Sequence, residues 1–279
     1  MVKCLIRPAI PWPALLIDEG MERTLVVADL HLGFEHELAN MGINLPSQTS
    51  KIKTKLLGML EELHPSRLIF LGDVKHSVPK ISLQEWQDVP SFFEAIQRIV
   101  QDIIIIPGNH DGDLEPLILP TIQMGPTKGI VIGRAGLFHG HAWPSPEHFS
   151  TDYWIIAHNH PVIHFRDSLG FRIVRQAWIK ANCNGPKLVK TFLQHSGIKL
   201  TGDAIETFRQ NFNIEVKSPK LIIMPAFNEM LGGLPINLEQ PEDLLGPIFR
   251  AGAIDIDGAE TYLLDGTFLG TISHLRHLV

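Results

Sequence analysis

Five short polar clusters stand out in this 279-residue chain: Asp29-x-His31, Gly72-Asp73, Gly108-Asn109-His110-Asp111, His139-Gly140-His141 and His158-x-His160. Each follows directly on an apolar run. Imidazoles and carboxylates without a thiolate suit divalent Mn, Fe, Zn, Co or Ni. Residues two apart in an extended segment face the same way, so each x-spaced pair can reach a common centre. An aspartate has two oxygens and can bridge two ions, and an asparagine supplies a neutral carbonyl oxygen where another carboxylate would add too much negative charge. Two ions about 3.5–4 Å apart lower the pKa of a bridging water, hold a phosphate and offset the charge gathering on its oxygens. A neighbouring histidine can give the departing alkoxide its proton. The chemistry expected is phosphoester hydrolysis by a metal-bridging water or hydroxide. Taken singly, Asp29 could be a cap, G-N-H-D a turn using Gly and Asn at positive φ, and the two histidine pairs surface loops. Five clusters in order, each at a strand end, point instead to one metal site.

The elements that must position these clusters can be read from periodicity. Thr24–Leu30, Arg67–Leu71 and Asp102–Ile106 are short buried-type strands. Between them, Ile52, Leu56, Leu60 and Leu63 recur at helical spacing after Ser47, a candidate cap, and His64-Pro65 stops the helix. A second helix is expected over Ser82–Gln101, with Pro90 marking a kink or break. Strand–helix–strand–helix–strand of this kind predicts parallel β-α-β units, whose carboxyl ends form the rim where ligands bind. From Gly129 the chain reads as short strands (GIVIG, GLFHG, YWIIAH, VIHFRD, FRIVRQAWI, KLIIMP) with helices over Leu188–His195 and Asp203–Phe212. A closing hairpin is expected around Asp265-Gly266.

Composition excludes several classes. Hydrophobic residues make up 44% and charged residues 19%, an ordinary globular mixture. No apolar run is long enough to span a bilayer, and the first residues lack a secretion-signal core. Cys4 and Cys183 permit one disulfide but no thiolate metal site. These features predict a cytoplasmic protein. The net charge of −6 argues against a uniformly basic surface. Yet Arg166–Lys199 carries seven Lys/Arg against Asp167 alone (7 − 1 = +6), and Glu239–Asp265 carries seven acids against Arg250. That asymmetry suits a phosphate-facing side, or two solvated faces.

With these motifs in hand, the sequence resembles the calcineurin-like metallophosphoesterases, whose signature D-x-H, G-D, G-N-H-[DE], H and G-H-x-H matches over roughly residues 14–166. The resemblance implies an α/β fold, a four-layer α/β/β/α sandwich of two mixed sheets; the chain itself is read as a single domain with a helical insertion at about 187–215. It implies that Asp29, His31 and His160 hold a first metal, that Asp73 bridges, and that Asn109, His139 and His158 hold a second. His110 would be the catalytic histidine, oriented by Asp111. Ala157 replaces the glycine usual before His158, which matters only if that position needs positive φ.

ADLHLGFEHELANMGINLP (28–46), GDVKHS (72–77), HGHAWP (139–144), AHNHP (157–161) and IIMPAFN (222–228) further resemble the SbcD-like and DNA ligase-associated metallophosphoesterases. That likeness implies a manganese-dependent phosphodiesterase or nuclease of DNA repair acting on DNA, single strands included, with a ligase or helicase as partner. It also implies a diester-directing role for His76, whose imidazole can offer a donor to a non-bridging phosphate oxygen. Lys75, His141, Arg166, Arg172 and Arg175 are candidate phosphate contacts, and Phe34, Trp143 and Phe165 can stack on bases or pack in the core. The competing readings are a phosphomonoesterase or cyclic-nucleotide phosphodiesterase, and a scaffold without catalysis. Lys187–Glu215 is read as a lid, a docking element or a simple insertion.

Overall fold

The computed structural model describes residues 4–166, 169–238, 240 and 243–277. Asp167, Glu239 and Glu242, which entered the charge balance above, lie outside the described residues. The first sheet has the order β1 (Cys4–Pro8), β2 (Ala14–Glu19), β3 (Glu22–Val27), β4 (Arg67–Leu71), β5 (Asp102–Ile106) and β6 (Gln123–Met124). Its first three strands pair antiparallel, whereas β3 to β6 are parallel. The second sheet contains β7 (Ile130–Ile132), β8 (Ala135–Leu137), β9 (Tyr153–Ile156), β10 (Pro161–Arg166), β11 (Arg172–Cys183), β12 (Lys220–Ile223), β13 (Leu234–Pro235), β14 (Ile254–Leu263) and β15 (Phe268–Thr271). It is also mixed: β8, β9 and β12 run parallel, and β11 pairs antiparallel with β10, β12 and β14. The hairpin expected around Asp265-Gly266 is β14–β15.

Strand alternation builds three cores between four layers. Leu68 and Phe70 face α2 (Thr49–Leu63) and α3 (Leu83–Gln97), together with Leu56, Leu60, Phe92 and Phe93. Ile69 and Leu71 point the other way, into the space between the sheets, where they meet Leu137, Ile155, Trp178 and Met224. Trp154, Ile156, Leu221 and Ile223 face outward again, under α4 (Gly185–His195), α5 (Ala204–Phe212) and α6 (Ile272–Arg276). Strands covered on both faces read as unbroken apolar runs, which is why β4, β5, β9 and β12 lack polar alternation. The expected sandwich is present. The 187–215 segment packs Leu188, Val189, Phe192, Leu193 and Phe208 into the outer core, so it is part of a helical layer rather than a lid over the strand ends.

Some local expectations need correction. Pro90 lies inside α3 without ending it. The helix ends at Gln97, and Gln48 rather than Ser47 is the N-cap of α2, although Ser47 Oγ still accepts from Thr49 N–H at 3.3 Å. A seven-residue helix, α1 (Phe34–Asn40), directly follows the D-x-H loop and has no counterpart in the expected elements. Cys4 and Cys183 are both free thiols.

Candidate metal centre

The D-x-H and G-D loops prolong the parallel β3–β4 pairing beyond the strands. Asp29 N–H donates to Gly72 O (3.1 Å), His31 N–H to Asp73 O (2.9 Å) and Leu32 N–H to Val74 O (2.8 Å). From the other side the IIMPAFN segment clamps the same loop: Phe227 N–H donates to Ala28 O, and Asn228 Nδ2 to Leu30 O at 3.0 Å. This tight packing forces unusual backbone. Asp29, His31, Asp73, His158 and His160 all have φ between 42° and 70°, a region non-glycine residues seldom occupy and one that collects at functional sites. Ala157 is not among the positive-φ residues, so alanine fits where glycine is usual.

Two glycines allow the side chains to converge. A Cβ on Gly72 would stand 2.2 Å from His139 Nδ1, and one on Gly108 would stand 2.1 Å from Asp73 Oδ1. Real Cβ atoms do not approach so closely, so both motif glycines are required by neighbouring candidate ligands.

Two compact donor groups result: Asp29, His31 and His160, and Asp73, His139 and His158, with the ligand atoms of each group within 4.8 Å of one another. Asp73 Oδ2 lies 3.4 Å from His31 Nε2 and 3.2 Å from His139 Nε2, so it faces both groups. Asp29 Oδ1 lies 3.3 Å from His160 Nε2. The fit to divalent cations rests on unmet polar atoms. Asp29 Oδ1 and the Nε2 atoms of His31, His139 and His160 are buried without hydrogen-bond partners, and such groups are costly unless something satisfies them. Against the burial that would raise it, the imidazoles of His160 and His139 hold the Asp29 carboxyl below its usual range. Asp73 is likewise lowered despite burial, through His139 and His31. Both therefore present anionic oxygens. Burial keeps His31 down to about 3 and His158 down to about 4, leaving lone pairs for a metal. His139 is raised to about 9, since the pull of Asp73 outweighs burial; a cation binding there must displace that proton. His139 Nδ1 sits 2.8 Å from Leu71 O, and donation to that carbonyl directs the Nε2 lone pair inward. Asn109 is exposed and lines a cleft with His141 beside the second group.

A third cluster joins His31, His76 and His110. His110 Nδ1 meets the His76 carbonyl at 2.5 Å, and its backbone N–H donates to Asp73 Oδ1 at 2.8 Å. The expectation that Asp111 orients His110 is thus corrected: the His76 carbonyl holds the ring. Asp111 instead accepts from Val74 N–H (2.8 Å), Lys75 N–H (3.3 Å) and Gly108 N–H (2.9 Å), tying two loops together. Its burial, followed by the nearby Asp73, pushes its pKa up to about 6.

Lys75 also departs from expectation. It is 1% exposed, and its Nζ donates to Ser77 O and His110 O, both at 2.6 Å. A lysine so enclosed organises the loop and cannot reach a strand of nucleic acid. His76 has both ring nitrogens engaged, Nδ1 at 3.0 Å from His31 Nδ1 and Nε2 against the Glu37 carboxylate. In this arrangement it has no ring donor left for a phosphate oxygen. Glu37 and Glu85 were not singled out in the sequence. Glu85 closes the capping box of α3 and also accepts from His76 N–H (3.1 Å) and Ser77 N–H (2.8 Å). The S-x-x-E spacing at Ser82–Glu85 was a signal that could have found it.

Other candidate contacts are scattered. His141 is beside the second group, its ring 5.3 Å from that of His139, and burial lowers its pKa to about 4. Arg166 and Arg172 pair across the far end of the β10–β11 hairpin, five residues or about 17 Å beyond Pro161. Arg172 is bonded to His164 Nδ1 at 2.9 Å, and Arg175 is exposed on the same hairpin. Trp143 is core, against Phe192; Phe165 packs on that core; Phe34 stands edge-on to His76 with centroids 5.0 Å apart. Two clefts flank the G-N-H-D turn. One, of 610 Å³, is lined by His36, Glu37, Asn40, His76, Lys80 and His110. The other, of 600 Å³, carries Asp111, Asp113 and Glu115 and, among the described residues, no lysine or arginine.

Comparison with known proteins places the centre in a family. The model of the calcineurin-like phosphoesterases matches residues 22–223, a span that includes all five clusters. Among solved structures, the fold is similar to that of a nuclease from Pseudomonas putida, MPE, at 19% identity and a TM-score of 0.52, covering 95% of this chain and 100% of that one. A phosphoesterase from E. coli, Yfce, aligns over 52% of this chain and 74% of its own, at 16% identity and a TM-score of 0.34. No curated protein matches the sequence.

Proposed function

This chain belongs to the calcineurin-like phosphoesterase family and is a phosphoester-hydrolysing enzyme, and from that premise we propose that it is a two-metal phosphodiesterase acting on DNA. The observation that carries the reading is Asp73, whose Oδ2 faces an imidazole of each donor group. Asp29, His31, His160 and Asp73 would hold one ion, and Asp73, Asn109, His139 and His158 the other. Manganese follows from the SbcD-like motifs, and the thiolate-free set of imidazoles and carboxylates also suits Fe, Zn, Co or Ni. Divalent ions bound there supply the charge that acidifies water and offsets the negative phosphate.

The chain's own residues do the rest. His110, whose Nδ1–H donates to the His76 carbonyl, gives the leaving oxygen its proton from Nε2 as the imidazolium and lines the 610 Å³ cleft. The departing part of the substrate belongs in that cleft, where Lys80 offers a cation to the next phosphate. The acidic cleft across the turn disfavours a phosphate-bearing strand. DNA is favoured over a small monoester by the SbcD-like motifs, by the arginines of the β10–β11 hairpin, and by the fold likeness to a protein described as a nuclease. A DNA-repair role in the cytoplasm alongside a ligase or helicase follows from the same motifs. Among the described residues no helix is long and apolar enough to cross a membrane.

The test is purified protein with manganese, given single-stranded DNA, a chromogenic diester and a chromogenic monoester. The reading requires cleavage of the DNA and the diester. Strong monoester cleavage with intact DNA would replace it with the monoesterase reading.

A further inference from the structure

The short helix α1 carries Phe34 and Glu37 three residues apart, hence on one face, and both meet His76. Phe34 stands edge-on to the imidazole, His110 stacks on it with centroids 5.3 Å apart, and the Glu37 carboxylate bonds Nε2. The ring is thereby boxed in, with its side chain 13% exposed. Its remaining nitrogen, Nδ1, lies 3.0 Å from Nδ1 of His31, while the Nε2 of His31 is buried, unpartnered and directed at Asp73.

The direction of each hydrogen bond follows from what each atom can do. An ionised carboxylate only accepts, so the hydrogen between Glu37 and His76 is on Nε2 of His76. A metal at Nε2 of His31 requires a lone pair there, so the hydrogen of that ring is on Nδ1. Nδ1 of His76 is then the acceptor that His31 needs. Ligating histidines are ordinarily oriented by a carboxylate, carbonyl or water at the second nitrogen. Here the carboxylate acts one imidazole further away.

We propose that Glu37, acting through His76, is a positioning residue for the first metal site: the Glu37–His76–His31 chain fixes the tautomer and ring orientation of His31. This rests on the two-metal reading and adds a residue to it. Glu37 is half exposed, with its side chain at 48%, so replacing it leaves the core packing intact.

The experiment is manganese binding to the full chain by isothermal titration calorimetry, for wild type, Glu37→Ala, Glu37→Gln, His76→Ala and the double variant Glu37→Ala/His76→Ala. A glutamine carbonyl can accept from the same N–H. We expect Glu37→Ala to weaken one of the two binding events by about 10–100-fold, the range for loss of an outer-shell partner, with Glu37→Gln recovering most of the affinity. Once His76 is absent, removing Glu37 should cost nothing further. Wild-type affinity in Glu37→Ala, a glutamine variant as weak as the alanine one, or additive losses in the double variant would each overturn the proposal. A wild-type chain that bound fewer than two ions would instead overturn the two-metal reading, and the proposal with it.

Discussion

Nε2 of His139 lies 3.2 Å from Oδ2 of Asp73, with both side chains shut away from solvent. The same carboxylate oxygen faces His31 in the other donor group, so the two groups meet at one residue. Asp73→Ala should therefore cost more than the about 10–100-fold loss that follows removal of an outer-shell partner, and should lower manganese stoichiometry as well as turnover. Full metal content with lost activity would show that Asp73 acts on the substrate and not on the ions.

Gly72→Ala is expected to be as damaging as loss of a ligand although it removes no donor atom. The new Cβ would meet His139 Nδ1 at 2.2 Å, and the position has φ +85°. His139 would have to leave Leu71 O and Asp73. Measured together, activity and metal content should both fall in this variant, and Gly112→Ala, where a Cβ meets nothing within 4 Å, is the control.

Lys75→Ala should act on stability. Its ammonium group satisfies two carbonyls, and charged hydrogen bonds of this kind contribute about 1.5–3 kcal/mol each. A drop in thermal midpoint with greater loop mobility is expected. A variant that melted as wild type and showed only a raised KM for DNA would restore the phosphate-contact role.

His110→Ala should cost about 10²–10⁴-fold on DNA, whose alkoxide leaving group needs a proton, and little on an aryl diester with an acidic phenol. The ratio of the two losses is the measurement. Equal losses would mean that His110 acts on ground-state binding and not as the acid.

Lys80→Ala should raise KM for an oligonucleotide several-fold while leaving a small chromogenic diester unaffected, because Lys80 lines the cleft proposed to take the departing strand. An equal effect on both substrates would place Lys80 at the scissile phosphate.

Much of this was legible in the sequence for a physical reason. Strands buried on both faces must be apolar throughout, so β4 and β5 announce themselves, and the polar residues that end them fall on one rim. Asp29, His31, Asp73, His139, His158 and His160 could be picked out because few other roles call for such residues at strand ends. What stayed hidden were relations across loops. Nothing in the spacing of Lys75 distinguishes an enclosed lysine from a solvent-facing one, and Asp111 beside His110 suggests a partnership that backbone N–H groups from Val74 and Gly108 pre-empt. Glu37 lies on a seven-residue helix too short to show a clear period, and its partner is 39 residues away.

The central claim is a pair of ions sharing Asp73, and anomalous scattering from manganese-soaked crystals tests it most directly. The account predicts two manganese peaks, one among Asp29, His31, His160 and Asp73 and the other among Asp73, His139, His158 and Asn109. A single peak, or a peak enclosed by His31, His76 and His110 in place of either, would contradict it.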